Sequence, residues 1–171
     1  MLSNGEKLLR EYVLLLFPGE EALYNYRPGW LYGMELDVFL PRLSLAFEFN
    51  GDQHYVDTDF GPCAPQVKRD RNKRHLCRER GVGLVIVEAI DLEYTKLRSK
   101  IKAKAKRDTL PCMTKQSVKG LRKLNKQAIE YRKTLIQKYD SPTARRKKGQ
   151  PRKDAFAARK PQVDLEAQVA L

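Results

Sequence analysis

The stretch from Glu35 to Tyr55, Glu-Leu-Asp-Val-Phe-Leu-Pro-Arg-Leu-Ser-Leu-Ala-Phe-Glu-Phe-Asn-Gly-Asp-Gln-His-Tyr, constrains the fold of this chain more than any other. Two β-prone runs flank a Pro41-Arg42 turn, and each carries one carboxylate among apolar residues, Asp37 in the first and Glu48 in the second. A four-residue loop that pairs Leu40 with Leu45 puts Asp37 opposite Glu48 in antiparallel register. The same register groups Leu36, Val38 and Leu40 with Leu45, Phe47 and Phe49, and leaves Asp37, Phe39, Ala46, Glu48 and Asn50 on the other face. The first face is expected to be core and the second to hold the acid pair. Like charges opposite one another destabilise a sheet unless a cation sits between them, and hard divalent ions with oxygen ligands, Mg2+ (or Mn2+), suit such a pair. The plainer reading makes Glu48 a solvated residue on an amphipathic strand, but Leu-Ala-Phe-Glu-Phe is too apolar for an open surface.

Charge divides the chain. Residues 1–95 carry 11 Lys and Arg against 15 Asp and Glu, whereas 96–171 carry 23 against 6. A cationic field concentrated in one half seeks a polyanion; no long apolar segment suits a bilayer, so no membrane is expected and nucleic acid is the natural partner. A solvated basic tail that only aids solubility is the competing reading. Three cysteines, Cys63, Cys77 and Cys112, are odd in number and irregular in spacing, which argues against a disulfide framework and for a reducing compartment. His75-x-Cys77 with Cys63 is not a usual zinc spacing, and no fourth partner lies near. The apolar run Val13–Phe17 follows Glu6 and Glu11 and lacks a cleavage site, so no signal peptide is expected and the protein reads as intracellular.

Along the chain, Ser3-Asn-Gly-Glu6 matches a capping box that opens a helix over about 4–16, with Leu8, Leu9, Tyr12, Val13, Leu15 and Leu16 as its apolar face. Glu6 has two available roles, closing that box or facing the acid pair as a third carboxylate. Tyr24, Tyr26, Trp30 and Tyr32, interleaved with Arg27 around a short strand near 23–28, either stack on bases or cover a small core, and packing is the favoured reading. After Gly51, His54 sits in a loop at the mouth of the acid pair, where an imidazole can shuttle a proton or simply be solvated. A second helix over about 65–80 sets Gln66, Asp70, Lys73 and Cys77 in one narrow stripe, from which Lys73 can bring positive charge to the strand ends. The alternative there is a surface helix with an Asp70–Arg74 pair. Val82–Val87 reads as a buried strand; Asp91 is expected to cap a helix from Leu92 to about Arg107, and a basic helix follows over about 115–139. The expected order is α-β-β-β-α-β-α, an α/β fold.

Glu6, Asp37, Glu48-Phe-Asn-Gly-Asp-Gln-His54, Gln66-x-x-Arg69-Asp70-x-x-Lys73 and the strand Gly81–Val87 together resemble the restriction-endonuclease-like, or PD-(D/E)xK, nuclease superfamily. The nearest resemblance is to its small members akin to very-short-patch repair and phage-type homing endonucleases, and it covers about residues 3–95. It implies a mixed central sheet flanked by helices. Asp37 resembles the metal-binding aspartate, Glu48 the second acid, and Glu6 the helix-one glutamate. Asn50 stands where the family usually has lysine, which nominates Lys73 or Gln66 on the next helix for that charge.

The reading is a core over 1–107, a basic helical arm over 108–140 and a basic tail over 141–171, disordered until bound. Its function is read as Mg2+-dependent DNA endonuclease, with catalytic candidates Asp37, Glu48, Lys73, His54, Gln66 and Glu6 and a possible homodimer on double-stranded or branched DNA. The competing reading is a catalytically silent nucleic-acid-binding module on the same fold. Candidate nucleic-acid contacts near the site are Asn50 and Arg69. Those on the arm are Lys115, Lys119, Arg122, Lys123 and Lys126, and those on the tail Arg145, Arg146, Lys147 and Lys148. Removing residues 141–171, with their eight Lys and Arg, is expected to weaken DNA binding and flatten its salt dependence. The slope of log K against log salt should fall by roughly 0.9 for each phosphate that the tail no longer neutralises. An unchanged slope in a salt titration would contradict a phosphate-binding role for the tail.

Overall fold

The computed structural model describes residues 2–51, 64–106 and 115–140, with backbone alone at 64–67 and 139–140. In chain order it contains α1 (Asn4–Leu16), β1 (Leu23–Tyr26), β2 (Leu36–Leu40), β3 (Leu45–Asn50), α2 (Ala64–Glu79), β4 (Gly83–Glu88), α3 (Tyr94–Lys104) and α4 (Lys115–Asp140). The α-β-β-β-α-β-α order expected from the sequence is therefore present, followed by α4. Short 3-10 turns at Gly29–Leu31 and Ala89–Asp91 link β1 to β2 and β4 to α3.

The four strands lie in the order β1-β2-β3-β4. β1, β2 and β3 form an antiparallel meander, and β4 returns parallel to β3, which requires the long crossover that α2 provides. The β2–β3 register is the expected one, with Leu40 against Leu45, Phe39 against Ala46 and Val38 against Phe47. The hairpin loop closes by hydrogen bonds from Leu43 N to Leu40 O and from Ser44 N to Pro41 O.

At Asp37 the sheet departs from regularity. Asn25, which regular pairing would set opposite Asp37 on the β1 side, turns to a left-handed φ of 50°. On the β3 side, the Phe49 N–H donates to Asp37 Oδ2 at 2.7 Å. A side chain thus takes over a backbone donor, and the alternation of β2 changes there. Val38 and Leu40 pack with α1, but Leu36 packs instead with Leu31, Met34 and Ala46 on the opposite face.

The core is not confined to one face, contrary to what the register alone led one to expect. A second apolar cluster of Leu31, Met34, Leu36, Ala46, Cys77, Val82 and Leu84 covers the opposite face, with the Tyr26 and Phe39 rings stacked at 5.3 Å. Of the interleaved aromatics, Tyr26 and Trp30 serve as packing, whereas Tyr24, with the Arg10 guanidinium 4.5 Å over its ring, is 38% exposed and Tyr32 82% exposed. The main cluster on the other face joins α1 (Leu9, Tyr12, Val13, Leu16) to Phe47, Val85, Val87, Leu97 and Ile101.

Two further expectations need correction. Asp91 does not cap α3: it lies in the preceding 3-10 turn, where its carboxylate accepts from Glu88 N at 2.9 Å and pairs with Lys100, and the residue at the α3 N-cap is Glu93. Nor is the helix after Pro111 an arm lying off the core. Leu121, Leu124, Ala128 and Leu135 recur at helical spacing and are buried in the main cluster. Gly120 rests on Leu15, where a Cβ would collide with the leucine methyls, and Tyr12 Oη donates to Asn125 Oδ1 at 2.5 Å. These contacts run α4 antiparallel to α1.

If α4 is part of the core, Leu124→Ala, which empties a site only 3% exposed, is expected to cost about 2–5 kcal/mol in denaturant unfolding. The exposed Lys123→Ala is expected to change stability by less than about 0.5 kcal/mol. Equal stability of the two variants would contradict the docking of α4.

Candidate active site

The β3 strand ends in Glu48-Phe49-Asn50, and its neighbours bring charged groups to that end from three directions. Asp37 comes from β2 and is 8% exposed, held by the Phe49 N–H. Lys73 comes from α2, and its Nζ pairs with Glu48 Oε1. Both partners of that pair are largely buried, with side chains 12% and 20% exposed. Glu6 comes from α1, whose first turn lies close against β3: a Cβ on Gly5 would collide with the Phe49 ring unless that ring shifted.

Glu6 performs the capping role. Its Oε2 accepts from Ser3 N at 2.7 Å while Ser3 Oγ accepts from Glu6 N at 3.1 Å, closing the box. Its charge nevertheless acts on Asp37 and disfavours ionisation there. The stripe on α2 faces as its spacing implies: Lys73 meets Glu48, Asp70 adds negative charge near it, and Cys77 lies 1% exposed in the second cluster. Asn50 is half-buried at the end of β3 and registers with Glu88 of β4.

The electrostatics of the pair follow from burial. Loss of water raises the Asp37 pKa, an effect opposed by the Phe49 N–H and reinforced by Glu6. Glu48 is pushed up to about 7, first by desolvation and then by Asp37, and the Lys73 ammonium only partly offsets them. Burial also raises the Cys77 thiol to about 11, which keeps it protonated beneath the site. Among the described residues, Glu48 Oε2 is buried and has no hydrogen-bond partner. A buried carboxylate oxygen without a donor is destabilising, and a cation is the simplest complement.

Among the described residues no group of three or more His, Cys, Asp and Glu side chains is arranged to hold a metal. Among the described residues, Asp37 and Glu48 are the two that could hold a cation between them. That pair fits Mg2+, which keeps most of its waters and is commonly bound through one or two carboxylates.

Several candidates fall elsewhere. His54, Arg145, Arg146, Lys147 and Lys148 lie outside the described residues, as does the side chain of Gln66, whose backbone is in the first turn of α2. Arg69 is exposed on α2 beside the site. Lys115, Lys119, Arg122, Lys123 and Lys126 are all exposed on α4. Because α4 runs antiparallel to α1, however, its C-terminal half is the part at the acid end, where Arg132 Nη1 donates to Ile90 O at 3.4 Å. At about 1.5 Å per residue, Lys115 lies roughly 25 Å further along the helix. Not named among the candidates are Lys68, Arg71, Arg74 and Arg78, which are exposed on α2, the helix that carries Lys73. The signal was legible as a helix with Lys or Arg on nearly every turn.

No protein-family profile matches the chain, and no solved structure matches it. The chain is 36% identical over 94 residues to "Uncharacterized protein 033L" of Invertebrate iridescent virus 3, a match covering 50% of this chain and 48% of that protein. It is 31% identical over 109 residues to "Uncharacterized protein 307L" of Invertebrate iridescent virus 6, covering 50% of this chain and 55% of that protein. The chain thus spans about half the length of the curated relatives it matches.

A carboxyl whose pKa is raised on folding stabilises the native state below its unfolded value, near 4.5, and loses that contribution as pH rises through its folded value, about 7. Metal-free protein is therefore expected to lose melting temperature between pH 4.5 and about 7, and Glu48→Gln to flatten that slope. Identical pH profiles for the two proteins would contradict the burial of Glu48 as an unstable anion.

Proposed function

We propose that the chain is a divalent-metal-dependent DNA endonuclease that hydrolyses phosphodiester bonds at the Asp37–Glu48 pair, on a core of restriction-endonuclease-like design. The observation that carries this reading is Glu48 Oε2, buried near the Asp37 carboxylate with no donor among the described residues and with a lysine on its other oxygen. Two buried acids destabilise a fold when nothing else is bound, so a ligand that needs them is the simplest explanation of their presence.

Asp37 and Glu48 would hold Mg2+ or Mn2+. When bound, the ion supplies Lewis-acid stabilisation of charge on the phosphate and a more acidic water. The chain's own groups do the rest. The Phe49 N–H orients Asp37, and Glu48 projects from the adjacent strand β3, where Lys73 holds one of its oxygens. Lys73 places an ammonium where negative charge grows on the phosphoryl oxygens, the function that Asn50 cannot serve. The apolar cluster of Leu36, Ala46, Cys77 and Leu84 under the pair keeps the local dielectric low, which strengthens each of these interactions. Exposed cations on α2, and Arg132 and Lys133 on α4, supply the field that draws the phosphate backbone to this end of the sheet.

Incubation of plasmid, linear and branched DNA with Mg2+ or Mn2+ tests the proposal. Asp37→Asn and Glu48→Gln are each expected to lower the cleavage rate by at least about a hundredfold while DNA affinity stays within about threefold. Lys73→Ala is expected to lower kcat with little change in KM, because its role lies in the transition state. DNA binding without cleavage of any of these substrates would support the silent nucleic-acid-binding module instead.

A further inference from the structure

A concavity of about 560 Å3 lies between the turn at Tyr32–Met34 and one side of α2. Its α2 wall is Arg69, Asn72, His75 and Leu76, and the opposite wall is Tyr32, Gly33 and Met34. The chemistry of these walls is uneven. Met34 and Leu76 supply an apolar floor, Gly33 adds no side chain, and the rim carries a guanidinium, a carboxamide and an imidazole. His75 is engaged with Glu79 at 3.3 Å, whereas Arg69 and Asn72 have no partner among the described residues.

Tyr32 is the unusual member. It closes the 3-10 turn in a left-handed conformation, φ 50° and ψ 49°, which a tyrosine adopts only at a cost. That strained backbone holds the ring almost wholly in water instead of in the adjacent second cluster, where Trp30 and Leu31 on the same turn are packed. A large aromatic fixed in solvent at the mouth of a half-apolar groove is a stacking surface without a partner.

The groove and the acid pair are linked through the turn that leads into β2 and through α2, which carries the Lys73 that pairs with Glu48. Met34 precedes Asp37 by three residues, a span of roughly 10 Å in extended chain, and Asn72 adjoins Lys73 on α2. Arg69 and Asn72 occupy the α2 stripe next to the one that carries Asp70 and Lys73. The groove thus adjoins the α2 residue that pairs with Glu48.

We propose that this groove seats a single unstacked nucleobase, so that the preferred substrate is DNA carrying an unpaired base next to the phosphate held at Asp37 and Glu48. The base stacks on Tyr32, its edge meets the Asn72 carboxamide, and Arg69 pairs with the flanking phosphate. The consequence for cleavage rests on the nuclease reading; the consequence for binding does not.

The test compares two DNA duplexes of equal length, one with a single bulged 2-aminopurine and one with that base paired, bound to the full chain carrying Glu48→Gln. The bulged duplex is expected to bind at least about tenfold more tightly, within the range of roughly five- to 150-fold that stacking of one base supplies, with quenching of the 2-aminopurine. Adding Tyr32→Ala is expected to bring the two affinities within about twofold and abolish the quenching, whereas Tyr32→Phe retains both effects. Equal affinities before any Tyr32 change, or a preference that survives Tyr32→Ala, would overturn the proposal. A parallel digestion by the unaltered protein in Mg2+ separates the two readings. A Tyr32-dependent preference without cleavage sinks the nuclease and supports the groove; cleavage of both duplexes at one rate with equal binding sinks the groove and leaves the nuclease standing.

Discussion

Holding two carboxylates side by side, mostly out of water, is the constraint that the rest of this structure serves. Desolvation and mutual repulsion both disfavour the charged forms, and each raises the pKa of Glu48. The fold answers with one ammonium and one backbone donor. Lys73 has to arrive from α2, so α2 must lie across that face of the sheet, and the apolar contacts of Leu76 and Cys77 with the cluster below hold it there. Phe49 N–H has to be released to Asp37, so the regular ladder is interrupted there, with Asn25 in a left-handed turn on the other side. Leu36 changes faces at that interruption. These local irregularities at Asp37 belong to one arrangement. Among the described residues it still leaves Glu48 Oε2 without a donor, and a stabilising ion would complete it.

The remaining elements set the orientation of this end. α1 approaches β3 at Gly5, brings Glu6 within electrostatic range of Asp37, and is itself covered by α4. The covering turns a very basic helix into a two-sided object: Leu121, Leu124, Ala128 and Leu135 inward, Lys and Arg outward. A polyanion lying along that outer face would pass from Lys115 toward Arg132, the end where the acids are. The positive field of the C-terminal half is thereby coupled to the geometry of the N-terminal half through burial of one helical stripe.

Much of this was legible in the sequence because short-range rules governed it. Alternation around Pro41-Arg42 set the register of β2 and β3, the Ser3–Glu6 box set the start of α1, and helical spacing put Lys73 on the face toward Glu48. What escaped was set by tertiary contact. Nothing local to Leu36 tells that it abandons the face of Val38; the change coincides with a hydrogen bond from Phe49 to its neighbour Asp37, twelve residues apart in the chain. Asp91 reads as a helix cap until Lys100 and the Glu88 N–H claim its carboxylate. In α4 the apolar stripe was visible, but its lysines and arginines suggested a free arm; only the presence of Tyr12 and Leu15 opposite shows where that stripe goes. Tyr32 could not be separated by sequence from Tyr26 or Trp30, since its exposure comes from one left-handed residue at the end of a turn.

The function proposed for this chain requires that Asp37 and Glu48 together form a cation site. Crystals grown with Mn2+ and measured at the manganese absorption edge test it most directly, because the anomalous signal locates the ion without reference to activity. The expected result is a peak between the two carboxylates, with Glu48 Oε2 as a ligand and the Lys73 ammonium moved off Oε1 or sharing it. A Glu48 still closed on Lys73, with no manganese beside Asp37 at saturating Mn2+, would contradict it.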